Sequence, residues 1–384
     1  MSEVARETLP ITPEVLAWAR LRGGYTIDEL KPAFRAIEAW EAGTASPTYS
    51  QLEQLSQKFG LPVAVFFFPE PPKVEPVRES FRTLPDAEFE LIPRRVKKLL
   101  RKAKAMQLNL IELNDGRGPT TRAILRDISF SVSTNVQSMA DLVREYLDIP
   151  IEKQLRWQSV ESALEVWRSA LSAVSISVFK DAFRIDEYSG FCLYHDQFPL
   201  IFVNNSNSKT RQVFTLFHEL AHLLFHTSGI DTITDDYVAA LPLNERTIEI
   251  MCNRFASAFL VPDQHFDVAV GGMPATMETA EQLARRYHVS REVIFRKLLD
   301  RALVSSAEYD HAVDSWRSQH AGRPAGGGGD YYNTQMAYLG VDYIRLAFSR
   351  FYQDRIDEVQ LAEYLNIAPR NLSTLEARFG QRAP

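Results

Sequence analysis

The sequence predicts a mainly α, multi-domain protein built around a central α+β unit. Three observations predict it. The chain has 384 residues, more than one ordinary domain. Apolar residues recur at helical spacing, broken by proline and glycine, over most of its length. One island of alternating residues between positions 175 and 203 reads as strands. The apolar run Phe214-Thr-Leu-Phe-His-Glu-Leu-Ala-His-Leu-Leu-Phe225, carrying H-E-x-x-H, follows directly.

Composition shifts divide the chain into a helix-turn-helix-like unit (1–70), a helical connector with a basic helix (71–155), the α+β unit (156–270) and a helical C-terminal region (271–384). Hydrophobic residues make up 45% and charged ones 24%, the balance of a soluble protein, and no run nears the ~18 apolar residues of a membrane span. The net charge of −6 does not draw the whole molecule to nucleic acid, so such binding needs a local basic patch. Two cysteines, Cys192 and Cys252, form no C-x-x-C pair and fit a reducing compartment. Met1 to Thr8 carries no secretion signal, so a cytoplasmic location is expected.

In residues 10–70, Pro13 opens a helix after Thr12 and a second starts near Thr26. A third covers Ala36 to Glu41, and Thr48 leads a fourth, Gln51 to Phe59, closed by Gly60. This segment resembles the XRE-like helix-turn-helix of phage repressors, but Pro32 interrupts the stretch where that family expects a continuous helix. Either DNA reading or protein docking is open to it. Pro69 to Pro76 reads as a stiff connector. Arg94, Arg95, Lys97, Lys98, Arg101, Lys102 and Lys104 then line an amphipathic helix running to Leu113, as a solvated face or as phosphate contacts.

Helices are expected over Ser138–Tyr146 and Ser159–Ser172, followed by a strand, Ser175 to Phe179. A hairpin, Gly190–Tyr194 with Phe198–Val203, comes next, and an exposed edge there could hold an extended peptide. In H-E-x-x-H, one turn separates His218 from His222, so both imidazoles share a face and can grip one cation. Glu219 lies beside them, placed to take a proton from a metal-bound water. The alternative is chance spacing on a core-facing helix, but burying these groups without partners costs several kcal/mol. A third ligand must come from downstream. His226 stands too far along the same helix, and Asp231, Asp235 and Asp236 lie in a loop. Glu249 belongs to a second helix, about 245–260, whose Asn253 falls one turn later and can fix an imidazole tautomer.

Gly190-Phe191, Pro199 to Asn204, Arg211 to Phe225, Glu249 to Ala256 and Leu260-Val-Pro262 together resemble the ImmA/IrrE family of metallopeptidases, over about residues 175–265. The resemblance implies that His218, His222 and Glu249 bind zinc, with Glu219 as base. It also implies a partner transcriptional repressor as the substrate. Many members carry an XRE-like N-terminal domain.

Farther on, Leu283 to Phe295 and Leu361 to Leu372 look like helix-turn-helix phrases, as packing units or as DNA contacts, and Gly322 to Gly329 is a linker or loop. The expected function is therefore a zinc-dependent endopeptidase of a regulatory system, with Mn2+ or Fe2+ able to occupy the same donors. Tyr237 and His226 are candidates to stabilise the oxyanion. The alternatives are a DNA-binding regulator whose peptidase fold is a sensor or relic, and an antitoxin-like interaction module.

Overall fold

The structure, a computed structural model, describes residues 8–72, 92–118, 122–232, 243–320 and 330–381. The connector beyond residue 72, Asp235, Asp236, Tyr237 and the glycine run 322–329 lie outside them. The chain forms two compact units. Among the described residues one comprises 8–72 with 92–98, and the other 99–381.

In the smaller unit, α1 (Pro13–Gly23), α2 (Ile27–Leu30), α3 (Ile37–Glu41) and α4 (Tyr49–Phe59) close around Leu16, Leu30, Ile37, Trp40, Leu52, Leu55 and Phe66. Thr26 with Glu29, and Thr48 with Gln51, form reciprocal capping boxes that start α2 and α4. Thr12 is not a side-chain cap; its hydroxyl donates to Phe68 O at 2.5 Å instead. No continuous helix crosses Pro32: α2 has four residues and ends before it, and α3 has five. Arg94, opening α5 (Arg94–Leu113), pairs with Glu29 and lies over the Tyr25 ring.

In the larger unit the remainder of α5, from Leu99, is followed by α6 (Ile124–Asp127), α7 (Val136–Leu147), α8 (Ile151–Gln154) and α9 (Val160–Ser172), the last started by Ser159. Then come β1 (Ser177–Asp181), β2 (Tyr188–Leu193), β3 (Leu200–Asn204), α10 (Lys209–Leu224) and β4 (Ile230–Thr232). The strand order is β1-β3-β2-β4, with β1 parallel to β3 and the other pairs antiparallel. The expected hairpin is β2–β3, but both strands are internal. Because β4 returns after α10 to pair with β2, the outer strands among the described residues are β1 and β4, which corrects the expectation of a free edge on the hairpin.

Alternation along the strands sorts the two faces. Val178, Cys192, Ile201 and Val203 join the core that contains α10, while Phe179, Phe191 and Phe202 turn to the other side. Gly190 lets the sheet and helix approach, since a Cβ there would stand 2.5 Å from Thr215 Cγ2 and 2.8 Å from Phe202 O.

After β4 the chain is helical: α11 (Leu243–Leu260), α12 (Asp263–Val270), α13 (Met277–Tyr287), α14 (Arg291–Asp300), α15 (Ser306–His320), α16 (Tyr331–Leu339), α17 (Val341–Tyr352), α18 (Glu358–Tyr364) and α19 (Leu372–Gly380). Helix α11 packs on α10 through Phe259, stacked on Phe217 at 4.1 Å between ring centres, with Trp167 edge-on to Phe217 at 4.8 Å. Such an aromatic cluster, wholly buried, holds the two helices in fixed register.

The helix-turn-helix-like phrase at 283–295 is α13 and α14, and the cations of α14 are engaged within the fold. Lys297 pairs with Asp263, Arg296 with Asp300, and Arg291 lies over Trp316 of α15. On the far side of the sheet, α16 and α17 reach β1: Arg168 donates to both Ala337 O and Val178 O, and Tyr343 meets Phe179 edge-on. No helix among the described residues is long and apolar enough to cross a membrane.

Candidate metal centre

Helix α10 starts where Ser208 accepts the backbone N–H of Arg211, and from Val213 to Leu224 every residue but Phe214 is buried. A helix this enclosed must satisfy every polar side chain it carries. Its polar groups on one side fall in a row. Arg211 donates to Ser189 Oγ (2.8 Å) and to both oxygens of Asp231 on β4 (2.9 and 3.2 Å), and Thr215 donates to Asp231 Oδ2 (2.9 Å). Asp231, passed over as a ligand on sequence grounds, is thus a buried brace between α10 and β4.

One and two turns farther along come His218 and His222, with their Nε2 atoms 3.2 Å apart. Glu249, projecting from α11, completes the group: its Oε1 lies 3.2 Å from His218 Nε2 and its Oε2 3.1 Å from His222 Nε2. All three are buried, and their ligand atoms lie within 4.8 Å of one another. Asn253 Oδ1 faces His218 Nδ1 at 3.2 Å while its amide donates to Glu249 O, so the amide oxygen receives the Nδ1 proton and leaves Nε2 to the cluster.

The three groups of the cluster shift one another's protonation. Burial pulls His218 down, yet Glu249 and then Asp231 overrule it and push the imidazole up to about 10. Burial raises Glu249, but His218 and His222 hold its carboxyl well below the usual range. Two imidazoles and a carboxylate converging in a buried site are a donor set that can bind a divalent ion.

Glu219 is different. It is fully buried, neither carboxylate oxygen has a hydrogen-bond partner among the described residues, and burial pushes it up to about 7 against the pull of His222 and His218. A buried, unpartnered carboxylate next to a ligand cluster is costly unless something else meets it there. That orphaned group is the observation that tests the fit, and it fits a site built to hold an ion and a polar reactant.

Comparison with known families agrees with the geometry. Residues 172–299 match the Peptidase M78 family model, the IrrE N-terminal-like domain. The matched IrrE-like segment runs from the end of α9 through α14 and contains His218, Glu219, His222 and Glu249. No curated protein matches the chain.

Within the IrrE-like segment, His226 stays outside the trio. It is exposed and its ring packs on Tyr194 at 5.2 Å between centres. Sequence reading missed Thr227 and Gly229, which touch His222 from the loop after α10. No periodicity marks such loop residues; the only signal was a glycine shortly before a short strand.

Proposed function

We propose that the chain is a metal-dependent endopeptidase of a regulatory system, acting in the cytoplasm on a protein substrate, a partner transcriptional regulator. The observation that carries this reading is the orphaned carboxylate of Glu219 beside the His218, His222 and Glu249 trio. Similarity to a peptidase family supports it.

His218, His222 and Glu249 would hold the ion, and zinc suits two imidazoles and a carboxylate, with Mn2+ or Fe2+ able to take the same donors. When bound, a divalent cation supplies Lewis-acid chemistry, lowering the pKa of water and polarising a carbonyl. Glu219 takes a proton from the attacking water and later delivers it to the leaving amine. Burial raises this carboxyl above the usual carboxylate range, and a raised carboxyl returns a proton as readily as it takes one. Asn253 keeps His218 in the tautomer the site needs. The enclosing Phe217, Leu220, Phe255 and Phe259 keep the local dielectric low, which strengthens each of these interactions.

The test is co-expression with candidate regulators, comparing the wild type with Glu219→Gln by intact mass. Two fragments whose masses sum to the substrate plus one water are expected with the wild type only. Cleavage by both would remove Glu219 from its role, and a stable stoichiometric complex with no fragment from either would favour an interaction module.

A further inference from the structure

After α10 the chain folds back on His222. His226 makes the turn with φ of +57°, a left-handed conformation. Thr227 N then donates to His222 O at 2.9 Å, and Thr227 Oγ1 donates to the same carbonyl at 3.0 Å. That hydroxyl oxygen also lies 3.4 Å from His222 Nδ1. A hydroxyl has one proton, and here it is spent on the carbonyl, so the oxygen can meet Nδ1 only as an acceptor. Nδ1 therefore carries the ring proton, and Nε2 is left facing Glu249 Oε2 and His218 Nε2.

Gly229 closes the other side of the ring. A Cβ at this position would stand 2.6 Å from both Cγ and Cδ2 of His222 and 2.9 Å from Nδ1, so the imidazole lies directly against bare backbone. The loop is itself pinned to β2. Tyr194 N donates to Ser228 Oγ (3.0 Å), Cys192 N to Gly229 O (3.0 Å), and Gly229 N to Cys192 Sγ (3.2 Å).

We propose that Thr227 and Gly229 are positioning residues for His222: Thr227 selects the tautomer that frees Nε2 to ligate, and Gly229 sets the plane of the ring. The proposal rests on reading the trio as a metal site, and it makes the sheet, through β2 and the loop, a third support for a centre otherwise carried by two helices.

The test is titration of the metal-free full-length chain with Co2+, followed by its ligand-field absorption, and competition for Zn2+ against a chelator. Thr227→Val keeps the shape and loses the acceptor; it should bind about 10–100-fold more weakly. Thr227→Ser should restore binding. Gly229→Ala should weaken binding and alter the absorption envelope. Metal-free Thr227→Val should melt with the wild type, which separates loss of positioning from loss of fold.

Wild-type affinity and spectrum in Thr227→Val would overturn the proposal while leaving the metal site standing. Failure of the wild type to bind Co2+, or equal binding by His222→Ala, would overturn both. In the Zn2+-loaded wild type, proton–nitrogen correlation spectra should show His222 protonated at Nδ1 and ligating through Nε2. The opposite assignment defeats the proposal whatever the variants do.

Discussion

The Nε2 atoms of His218 and His222 face each other at 3.2 Å, each also within 3.2 Å of a Glu249 oxygen. Two ring nitrogens so close need a proton or a cation between themselves and the carboxylate. In the metal-free chain His218, pushed up to about 10, supplies the proton.

Metal uptake should therefore release a proton near neutral pH, because a ligating imidazole must be neutral. Affinity should rise with pH up to about 10. The same raised pKa means that the metal-free fold gains stability below the unfolded histidine value of about 6.5 and loses it as pH rises through about 10. Calorimetry in buffers of different ionisation enthalpy reads the proton count. A count of zero at pH 7.5 would contradict the assigned charge state.

Helix α11, which carries Glu249, ends on a buried cation. Arg144 of α7 donates to Phe259 O, to Ile149 O at 2.8 Å and to Gln154 Oε1 at 3.0 Å, and lies 4.6 Å from the Phe259 ring centre. Removing it leaves Phe259 O in the last turn of α11 and Ile149 O in the loop after α7 unpartnered, so Arg144→Leu should cost about 2–4 kcal/mol. Lysine lacks the fork and should recover only part. Chemical denaturation measures both; an Arg144→Leu chain as stable as the wild type would refute the capping role.

At the base of β1, Lys180 and Arg168 share a single anion, Glu165, at 2.9 and 3.2 Å. Burial, then the charge of Arg168, pushes Lys180 down to about 8. Because the unfolded chain holds that proton up to about 10.5, stability from this residue is present above 10.5 and is lost as pH falls through about 8. Lys180→Met should flatten the rise in stability between those values. Glu165→Gln should destabilise the fold at pH 7 by about 1–2 kcal/mol, discounted because Glu165 is half exposed.

For the smaller unit the expectation concerns DNA. Helix α3 has five residues, about 7.5 Å at 1.5 Å per residue, too short to lay two turns of base-reading side chains in a major groove. Helix α3 should give the full chain no preference among DNA sequences, so Ala substitution on its exposed face should leave any DNA affinity unchanged. Competition binding over a salt series would expose the error if one duplex were held orders of magnitude more tightly than the rest and lost that advantage in the substituted chain.

Much of this could be read before any coordinates. Helical spacing is local, so His218 and His222 had to share a face once Phe214 to Phe225 was a helix, and alternation in 190–203 had to give a hairpin. The middle helices of the first unit were legibly short because Pro32 stands where a longer one would run. The basic helix was legible only as amphipathic; that Lys102 reaches Asp181 and Arg94 reaches Glu29 depends on where the partner strands and loops end up. The covering of α14 by α15 likewise left no trace in spacing, since ion pairs and ring contacts join residues far apart in the chain.

The pairing of the two imidazoles, the place of Glu219 beside them and the spacing of Glu249 from Asn253 were legible without the fold, because each is a matter of helical repeat within one segment. It took the packed fold to bring Glu249 to 3.1–3.2 Å, to make β1 and β4 the outer strands among the described residues, and to set Thr227, Gly229 and Asp231 as braces of the site. The physical reason is that those features follow from how a chain reverses after α10 and packs its aromatic core, a non-local balance of burial and hydrogen bonding that no single stretch encodes.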